Sequence, residues 1–159
     1  DFFTGDPFNQ EELLERLIPK FREFELVAKD IETLHAHIDG IKVSFLGYAY
    51  PVLFPFSRFG GADVADSRDI ACMKVSAIAG RGAKRDFIDL HAISAQFGLA
   101  RILDWFREKY ARANYSRVHI LKSLTYFDEA EQDPMPDMLI KLTWLEVKAF
   151  FLKEVPRLL

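Results

Sequence analysis

The spacing of the apolar residues changes near residue 66, and this change constrains the fold more than any other feature of the sequence. Three runs rich in Val, Ile, Phe and Tyr precede it, at residues 26–30, 33–38 and 41–48. They predict β-strands, and Asp39-Gly40 between the last two predicts a tight hairpin turn. After residue 66 the apolar residues recur at helical spacing. Strands followed by helices predict an α+β fold, in which a small mixed or antiparallel sheet with packed helices precedes a helical C-terminal half.

Capping residues and turn residues set the expected limits of the individual elements. Asn9 with Glu12 predicts a capping box at the start of the first helix, and Thr143 with Glu146 predicts a second one. The expected helices cover residues 10–24, 67–80, 84–97, 99–113, 116–127 and 143–155. Short strands are expected at residues 1–3 and 62–65. In the helix over residues 67–80, the expected buried stripe consists of Ile70, Met73, Ala77 and Ile78.

The composition excludes several classes of protein. Of the 159 residues, 50% are hydrophobic and 28% are charged, which is typical of a folded domain rather than of a disordered chain. No run approaches the roughly 18 apolar residues of a membrane span. The single cysteine, Cys72, fits a reducing compartment. We therefore expect a cytoplasmic protein that does not enter a membrane.

Charge is distributed unevenly along the chain, although the net charge is only −3 and carries no signature of nucleic-acid binding. The stretch of residues 101–122, which begins at Arg101 and ends at Lys122, holds six Lys or Arg and two acids. The stretch of residues 123–139 holds five acids and no Lys or Arg. This pattern predicts either a basic surface beside an acidic one, or ordinary solvated helix faces followed by an acidic loop.

Two histidines lie in the predicted strand at residues 33–38. His35 and His37 alternate with apolar residues, so they share the exposed face of the strand. Two imidazoles at this spacing can bind a metal ion. Because the sequence offers no third ligand nearby, two ordinary surface histidines are the simpler interpretation.

Residues 69–90 hold the side chains best suited to chemistry. The candidate site residues are Lys74, Arg81, Lys84, Arg85, Asp86 and Asp89. The lysine lies at the edge of an apolar stripe, where its side chain can reach solvent. The three cations that follow lie in a glycine-flanked turn suited to a polyanion such as a nucleoside triphosphate. The two aspartates share one face of the next helix. The alternatives are a boundary lysine and a structural Arg–Asp latch between the two helices.

The same segment resembles the AbiEii/AbiGii family of toxin nucleotidyltransferases. It is similar to the family's central motif in the pattern Asp-Ile-Ala-x-Met-Lys, followed by Ala-Ile-x-x-Arg-Gly-x-Lys-Arg-Asp-Phe-Ile-Asp-Leu, at fixed spacing over residues 69–90. The Asp39-Gly40 hairpin and the run Tyr-Ala-Tyr-Pro-Val-Leu at residues 48–53 follow the family's order. The resemblance covers most of the chain, and it is clearest before about residue 113.

The resemblance implies a polymerase-β-like nucleotidyltransferase fold. Residues 1–66 would be the C-terminal part of its α/β core, and residues 67–159 a helical region continuous with it. Family members carry a Gly-Ser motif and, further on, an Asp-x-Asp motif, and Asp1-Phe2-Phe3 is similar to the end of the latter. The resemblance therefore implies that the sequence starts inside this motif, with the first aspartate upstream. We expect weak or no Mg²⁺-dependent transfer by this chain alone.

The activity implied by the resemblance is transfer of a nucleotide from a nucleoside triphosphate to an acceptor, with Mg²⁺ as cofactor. Asp1 would be a ligand of the metal. Lys74 would be the catalytic or phosphate-binding lysine, and Asp89 the third acidic group, with Asp86 as the reserve candidate. The basic turn would bind phosphates through Arg81, Lys84 and Arg85.

The resemblance also implies partners. The acceptor would be tRNA or another RNA, bound by residues 101–122 with Tyr110 and Tyr115 available for stacking. The setting would be a prokaryotic toxin–antitoxin or phage-abortive system with a cognate antitoxin. Two other functions stay open. One is a non-enzymatic interaction module with a structural Arg–Asp cluster. The other is a nuclease, which lacks support because the sequence has no paired Asp and Glu-x-Lys at strand spacing.

Overall fold

The computed structural model describes residues 1–158 and confirms the α+β fold predicted from the sequence. The chain forms two compact units, Asp1–Pro51 and Val52–Leu159. Among the described residues, none of the helices has both the length and the apolar composition needed to cross a membrane.

The first unit is built on a four-stranded sheet with the strand order β1-β4-β3-β2. The strands are β1 (Phe2–Thr4), β2 (Phe24–Asp30), β3 (Thr33–Ile38) and β4 (Ile41–Gly47). β1 pairs in parallel with β4, whereas the other neighbours are antiparallel, so the sheet is mixed. The predicted turn joins β3 to β4, and Asp39 and Gly40 have φ values of 49° and 79°. A two-residue hairpin with two positive φ values favours this Asp-Gly pair.

One helix packs on this sheet. Leu14 of α1 (Gln10–Leu17) belongs to the core of the unit, together with the buried side chains of β3, which are Leu34, Ala36 and Ile38. Buried and half-buried residues alternate along β3, as the sequence predicted. Asn9 caps α1, because its side chain accepts the N–H groups of Glu11 and Glu12, but the predicted capping box is incomplete, since the Glu12 side chain does not accept the N–H of Asn9.

The predicted end of this helix at residue 24 is wrong. α1 ends at Leu17, a 3₁₀ turn follows over Ile18–Lys20, and β2 has begun by Phe24. Pro19 explains the difference, because proline has no N–H to continue the helix and its ring clashes with the preceding turn.

The second unit combines a two-stranded hairpin with six helices among the described residues. The hairpin consists of β5 (Ser57–Phe59) and β6 (Ala62–Val64). The helices are α2 (Ser67–Arg81), α3 (Lys84–Phe97), α4 (Leu99–Lys109), α5 (Arg117–Ser123), α6 (Asp128–Gln132) and α7 (Trp144–Glu154). A 3₁₀ turn, Val155–Leu158, follows α7. α2 contacts α3, α4 and α5, and α3 also contacts α4, α6 and α7, so these two helices form the centre of this unit.

Several limits in this unit differ from the predictions. β5 was not predicted, because Pro55 before it and Gly60-Gly61 after it indicated an irregular segment. The helix expected over residues 99–113 ends at Lys109, and the one expected over residues 116–127 ends at Ser123. α6 was not predicted, because it lies in the stretch expected to be an acidic loop. The second capping box is confirmed, since the N–H of Thr143 donates to Glu146 Oε2 at 2.7 Å and Thr143 Oγ1 accepts the N–H of Glu146.

The predicted buried stripe of α2 is largely wrong. Its buried apolar residues are Ala71, Cys72, Val75 and Ile78, whereas Ile70, Met73 and Ala77 are only partly buried. Because three helices pack around α2, its buried surface does not form one stripe. Small residues at 71 and 72 allow neighbouring helices to come close.

Candidate functional site

A sharp turn places the end of α2 beside the start of α3, and the candidate residues lie on both sides of it. Gly82 ends α2 with a φ of 57°, a left-handed conformation that glycine adopts without a steric penalty. Its N–H donates to the carbonyl of Ile78 at 3.1 Å. α3 begins two residues later, at Lys84, and packs against α2.

Asp86 lies at the centre of the candidate residues. Its side chain is completely buried. One carboxylate oxygen accepts from Nζ of Lys74 at 2.9 Å, and the other accepts from Nε and a terminal nitrogen of Arg81 at 3.1 and 3.0 Å. These bonds pair a charge that would otherwise be costly to bury. We refer to Lys74, Arg81, Asp86 and Asp89 as the Lys74 cluster.

Lys74 joins the two aspartates of α3. Its Nζ also lies 2.6 Å from Oδ2 of Asp89. Burial by itself would lower the pKa of Lys74, but the hydrogen bonds to Asp89 and Asp86 outweigh that effect and raise the pKa above its ordinary value. Lys74 is therefore an ammonium at neutral pH, the form that pairs with a phosphate.

Exposure divides the Lys74 cluster into an inner and an outer part. The side chain of Asp86 is closed to solvent, whereas those of Asp89 and Arg81 are 49% and 59% exposed. The formal charges of the cluster cancel, since it contains two cations and two anions. Arg85 is exposed beside it and forms no ion pair with any residue of the described chain.

Lys84 is held by another part of the unit. It is buried, its backbone N–H donates to Oδ2 of Asp133 at 2.9 Å, and its ammonium donates to the carbonyl oxygen of the same residue. The ammonium also lies 5.5 Å from the ring centre of Trp144. Phosphate binding by Lys84 stays a prediction, and it would require the contact with Asp133 to break.

A second buried charge pair was missed by the sequence analysis. Asp69 of α2 accepts Nζ of Lys109 at 2.7 Å, and the two side chains are 3% and 1% exposed. The same carboxylate accepts the backbone N–H groups of Leu53 and Phe54. No local pattern indicates this pair, because 40 residues separate its members. The network fixes the start of the helix that carries Lys74.

The structure corrects part of the predicted RNA-facing surface. Lys109 and Tyr110 are buried, so neither is available to an RNA. Tyr115 is partly buried and packs edge-on against Phe106, with ring centres 5.0 Å apart. Within residues 101–122, the exposed cations of the described chain are Arg101, Arg107, Arg112, Arg117 and Lys122.

The remaining candidate positions lie in the first unit. Asp1 is exposed immediately before β1. His35 and His37 share one face of β3, as predicted, and their Nδ1 atoms lie 2.9 Å from Ser44 Oγ and 3.2 Å from Glu25 Oε2. Within residues 1–158, no group of three or more His, Cys, Asp or Glu is arranged to hold a metal ion.

Comparisons with known proteins extend these observations. A family model described as "Nucleotidyl transferase AbiEii toxin, Type IV TA system" matches residues 48–157, a range that includes the whole Lys74 cluster. An uncharacterized protein of Aquifex aeolicus (strain VF5) is 37% identical over 161 residues, which cover 98% of this chain and 76% of that protein. No solved structure matches the chain.

Proposed function

Because the chain belongs to the AbiEii family of nucleotidyl transferase toxins of toxin–antitoxin systems, we propose that it transfers a nucleotide from a nucleoside triphosphate to an RNA acceptor, with Mg²⁺ as cofactor. One observation supports the proposal most directly. An ammonium and a half-exposed carboxylate lie 2.6 Å apart within the segment that matches the family. Phosphoryl-type transfer depends mainly on positioning and charge neutralisation, and these two groups can supply both.

Each member of the Lys74 cluster has a role in the proposed reaction. Lys74 neutralises a phosphate of the nucleotide, and Asp89 accepts the proton of the attacking hydroxyl. Arg81 and Arg85 bind the outer phosphates, because their guanidinium groups are exposed and suited to phosphate geometry. Asp86 is completely buried, so in this proposal it positions Lys74 and Arg81 and does not touch the substrate.

In this proposal a carboxylate would be the protein's ligand for Mg²⁺. Magnesium in nucleotide sites is commonly held by one or two carboxylates together with substrate phosphates. Asp1 is exposed and offers such a group, so it would hold the metal. The ion would neutralise the triphosphate. In the same proposal, residues 1–66 belong to the nucleotidyltransferase core and residues 67–159 form its helical region.

The acceptor and the partners are also part of the proposal. The exposed arginines and lysine of residues 101–122 would contact the phosphates of tRNA or another RNA in the cytoplasm. A cognate antitoxin would restrain the activity. Replacing Arg101, Arg112 and Lys122 together by Ala should weaken RNA binding and flatten its dependence on salt. Unchanged binding would exclude this surface.

The test of the proposed activity is transfer of label. The full-length protein is incubated with each labelled nucleoside triphosphate, Mg²⁺ and total RNA. Wild type is compared with Lys74→Ala and Asp89→Ala, and with Lys153→Ala and Asp137→Ala, which remove exposed charges outside the Lys74 cluster. We expect the two cluster variants to lose about 100-fold or more of the rate. Equal labelling by all five proteins would refute the catalytic assignment.

The alternative function predicts a different outcome. The bonds of Asp86 to Lys74 and Arg81 join α3 to α2, which favours a structural latch in a non-enzymatic interaction module. Lys74→Met keeps most of the aliphatic side chain. If the chain is a non-enzymatic module and the cluster only a latch, neither wild type nor Lys74→Met labels RNA, and the variant only loses stability. If Lys74 binds phosphate, folded Lys74→Met is still deficient in transfer.

A further inference from the structure

α7 is apolar on two opposite sides, and only one of them is covered. Val147 and Phe151 are fully buried, and α7 packs against α3. Leu145 and Leu152 lie on the other side, before and after Ala149 at helical spacing, and are 72% and 55% exposed. Exposed apolar side chains that are grouped on one side of a helix are typical of an interaction site. The outer side of α7 therefore has the composition of a contact surface.

The two exposed leucines line a groove of about 390 Å³. The rest of the lining comes from α7 itself and from the chain around the start of α6, including Tyr126, Asp128 and Glu131. The ring of Tyr126 adds a further apolar surface, because this residue is 56% exposed. The groove thus joins the uncovered side of α7 to the acidic stretch of residues 123–139.

The charged side chains that line the groove, Asp128, Glu131 and Lys148, leave a net negative charge. Lys148 is paired with Glu131 at 2.5 Å, and that bond holds the pKa of Glu131 below its ordinary value. Asp128 is exposed and forms no ion pair with a Lys or Arg of the described chain, and its carboxylate raises the pKa of the neighbouring Tyr126 hydroxyl. The stretch of residues 123–139 contains five acids and no Lys or Arg. An occupant must therefore combine an apolar surface with positive charge.

We propose that the groove formed by Leu145, Leu152, Tyr126 and Asp128 docks an amphipathic helix of a partner protein that carries Lys or Arg beside a leucine-rich face. In helix-in-groove recognition, the bound helix places apolar side chains at i, i+3, i+4 and i+7 into an apolar groove. The acidic stretch repels nucleic-acid phosphates and anionic membrane surfaces. Two copies of this chain that meet at the groove would bring like charges together. The surface does not depend on the proposed transferase activity, and it lies within the segment that matches the family.

A model peptide tests the proposal. The probe is a fluorescently labelled Leu/Lys peptide of about 18 residues, long enough to form a helix, with leucines at i, i+3, i+4 and i+7. A Leu/Glu peptide with the same leucines is the matched probe of opposite charge. Fluorescence anisotropy at physiological salt should show saturable binding of the basic peptide and no binding of the acidic one. Equal binding of both peptides would overturn the charge argument.

Variants locate the binding site. Leu145→Ser with Leu152→Ser should weaken binding of the basic peptide by about 10-fold or more, because each leucine loses apolar burial. Asp128→Lys should weaken it by about threefold to tenfold and reduce its salt dependence. Val118→Ser and Asp104→Lys are the controls, since both change exposed residues outside the groove lining and outside the acidic stretch of residues 123–139.

Two results would overturn the proposal, namely peptide binding outside the groove and a dimer formed at the groove. If the groove variants bind the basic peptide as wild type does, or the controls weaken binding as much, the peptide binds elsewhere. Sedimentation velocity of the protein without peptide provides a second measurement. A dimer that dissociates in Leu145→Ser with Leu152→Ser would mean that a second copy occupies the groove. Circular dichroism confirms that each variant is folded, and the leucines are exposed enough for folding to be unaffected.

Discussion

Substitutions in the buried pair of Asp69 and Lys109 should lower the free energy of unfolding by unequal amounts. Asp69 binds three donors, which are the ammonium of Lys109 and the backbone N–H groups of Leu53 and Phe54. Lys109→Met leaves the carboxylate with its two N–H donors. Asp69→Leu leaves the ammonium and both N–H groups without this acceptor. The aspartate is therefore the more sensitive member of the pair.

The expected magnitudes follow from these contacts. Removing one partner of a buried ion pair costs about 3–5 kcal/mol, which is the expected loss for Lys109→Met. Asp69→Leu adds up to about 1–3 kcal/mol for each of the two partly buried N–H groups that lose their acceptor. Its total loss is comparable to the whole stability of a typical domain, about 5–15 kcal/mol, so much of this variant should be unfolded. Asp69→Asn keeps an acceptor for the N–H groups and should resemble Lys109→Met.

Urea denaturation followed by circular dichroism and by tryptophan fluorescence measures the three losses. Arg107→Met is the control, because it removes one member of the exposed pair Arg107–Asp104 and should change the free energy of unfolding by about 1 kcal/mol or less. The reasoning is refuted if Lys109→Met destabilises the protein as much as Asp69→Leu does. It is also refuted if both variants stay within about 1 kcal/mol of wild type.

Three further predictions concern His91, two glycines and Cys72. Burial lowers the pKa of His91 below 6.5, with Glu146 opposing the change. The folded state therefore binds fewer protons than the unfolded state. Urea titrations should show that the free energy of unfolding falls as the pH drops below about 6.5, and that it falls less in His91→Phe. Gly82→Ala places a Cβ at a φ of 57° and 3.3 Å from a carboxylate oxygen, so thermal denaturation should show a loss of about 1–2 kcal/mol. Gly80→Ala, with nothing within 4 Å of its Cβ, should instead gain about 0.5–1 kcal/mol, and effects of the same sign would contradict this account. Burial, and next the charge of a nearby aspartate, raise the pKa of Cys72 to about 12, so iodoacetamide at pH 8 should label it only in urea. Rapid labelling of the folded protein would show that the thiol is accessible.

Features set by near neighbours in the sequence were predictable. The Asp39-Gly40 turn requires two positive φ values, and the Thr143 capping box is complete within four residues. The end of α1 was also readable, because Pro19 marks it, but the apolar spacing that continues to Phe21 concealed the break. Local signals therefore decide where an element begins, whereas a repeating apolar pattern alone overstates where it ends.

Features set by packing between distant residues were not predictable. Lys74, Asp86 and Asp89 could be grouped because α2 and α3 are joined by a very short turn and must lie side by side. The partners of Asp69 and Lys84 lie 40 and 49 residues away in the sequence, and nothing local points to them. This is also why Lys109 and Tyr110 were placed on a predicted RNA surface, whereas the packing of α4 buries both.

The balance of charge in the Lys74 cluster determines how a triphosphate would reach it in the reaction that we propose. Arg85 is exposed and has no carboxylate partner in the described chain, so an approaching polyanion meets it first. To contact Lys74, a phosphate must replace Asp89. This exchange costs little, because the Asp89 side chain is 49% exposed and water solvates the carboxylate that leaves. Asp86 keeps its bond to Lys74 throughout, so the ammonium stays in position while its outer partner changes. The freed Asp89 carboxylate can then accept the proton of the acceptor hydroxyl.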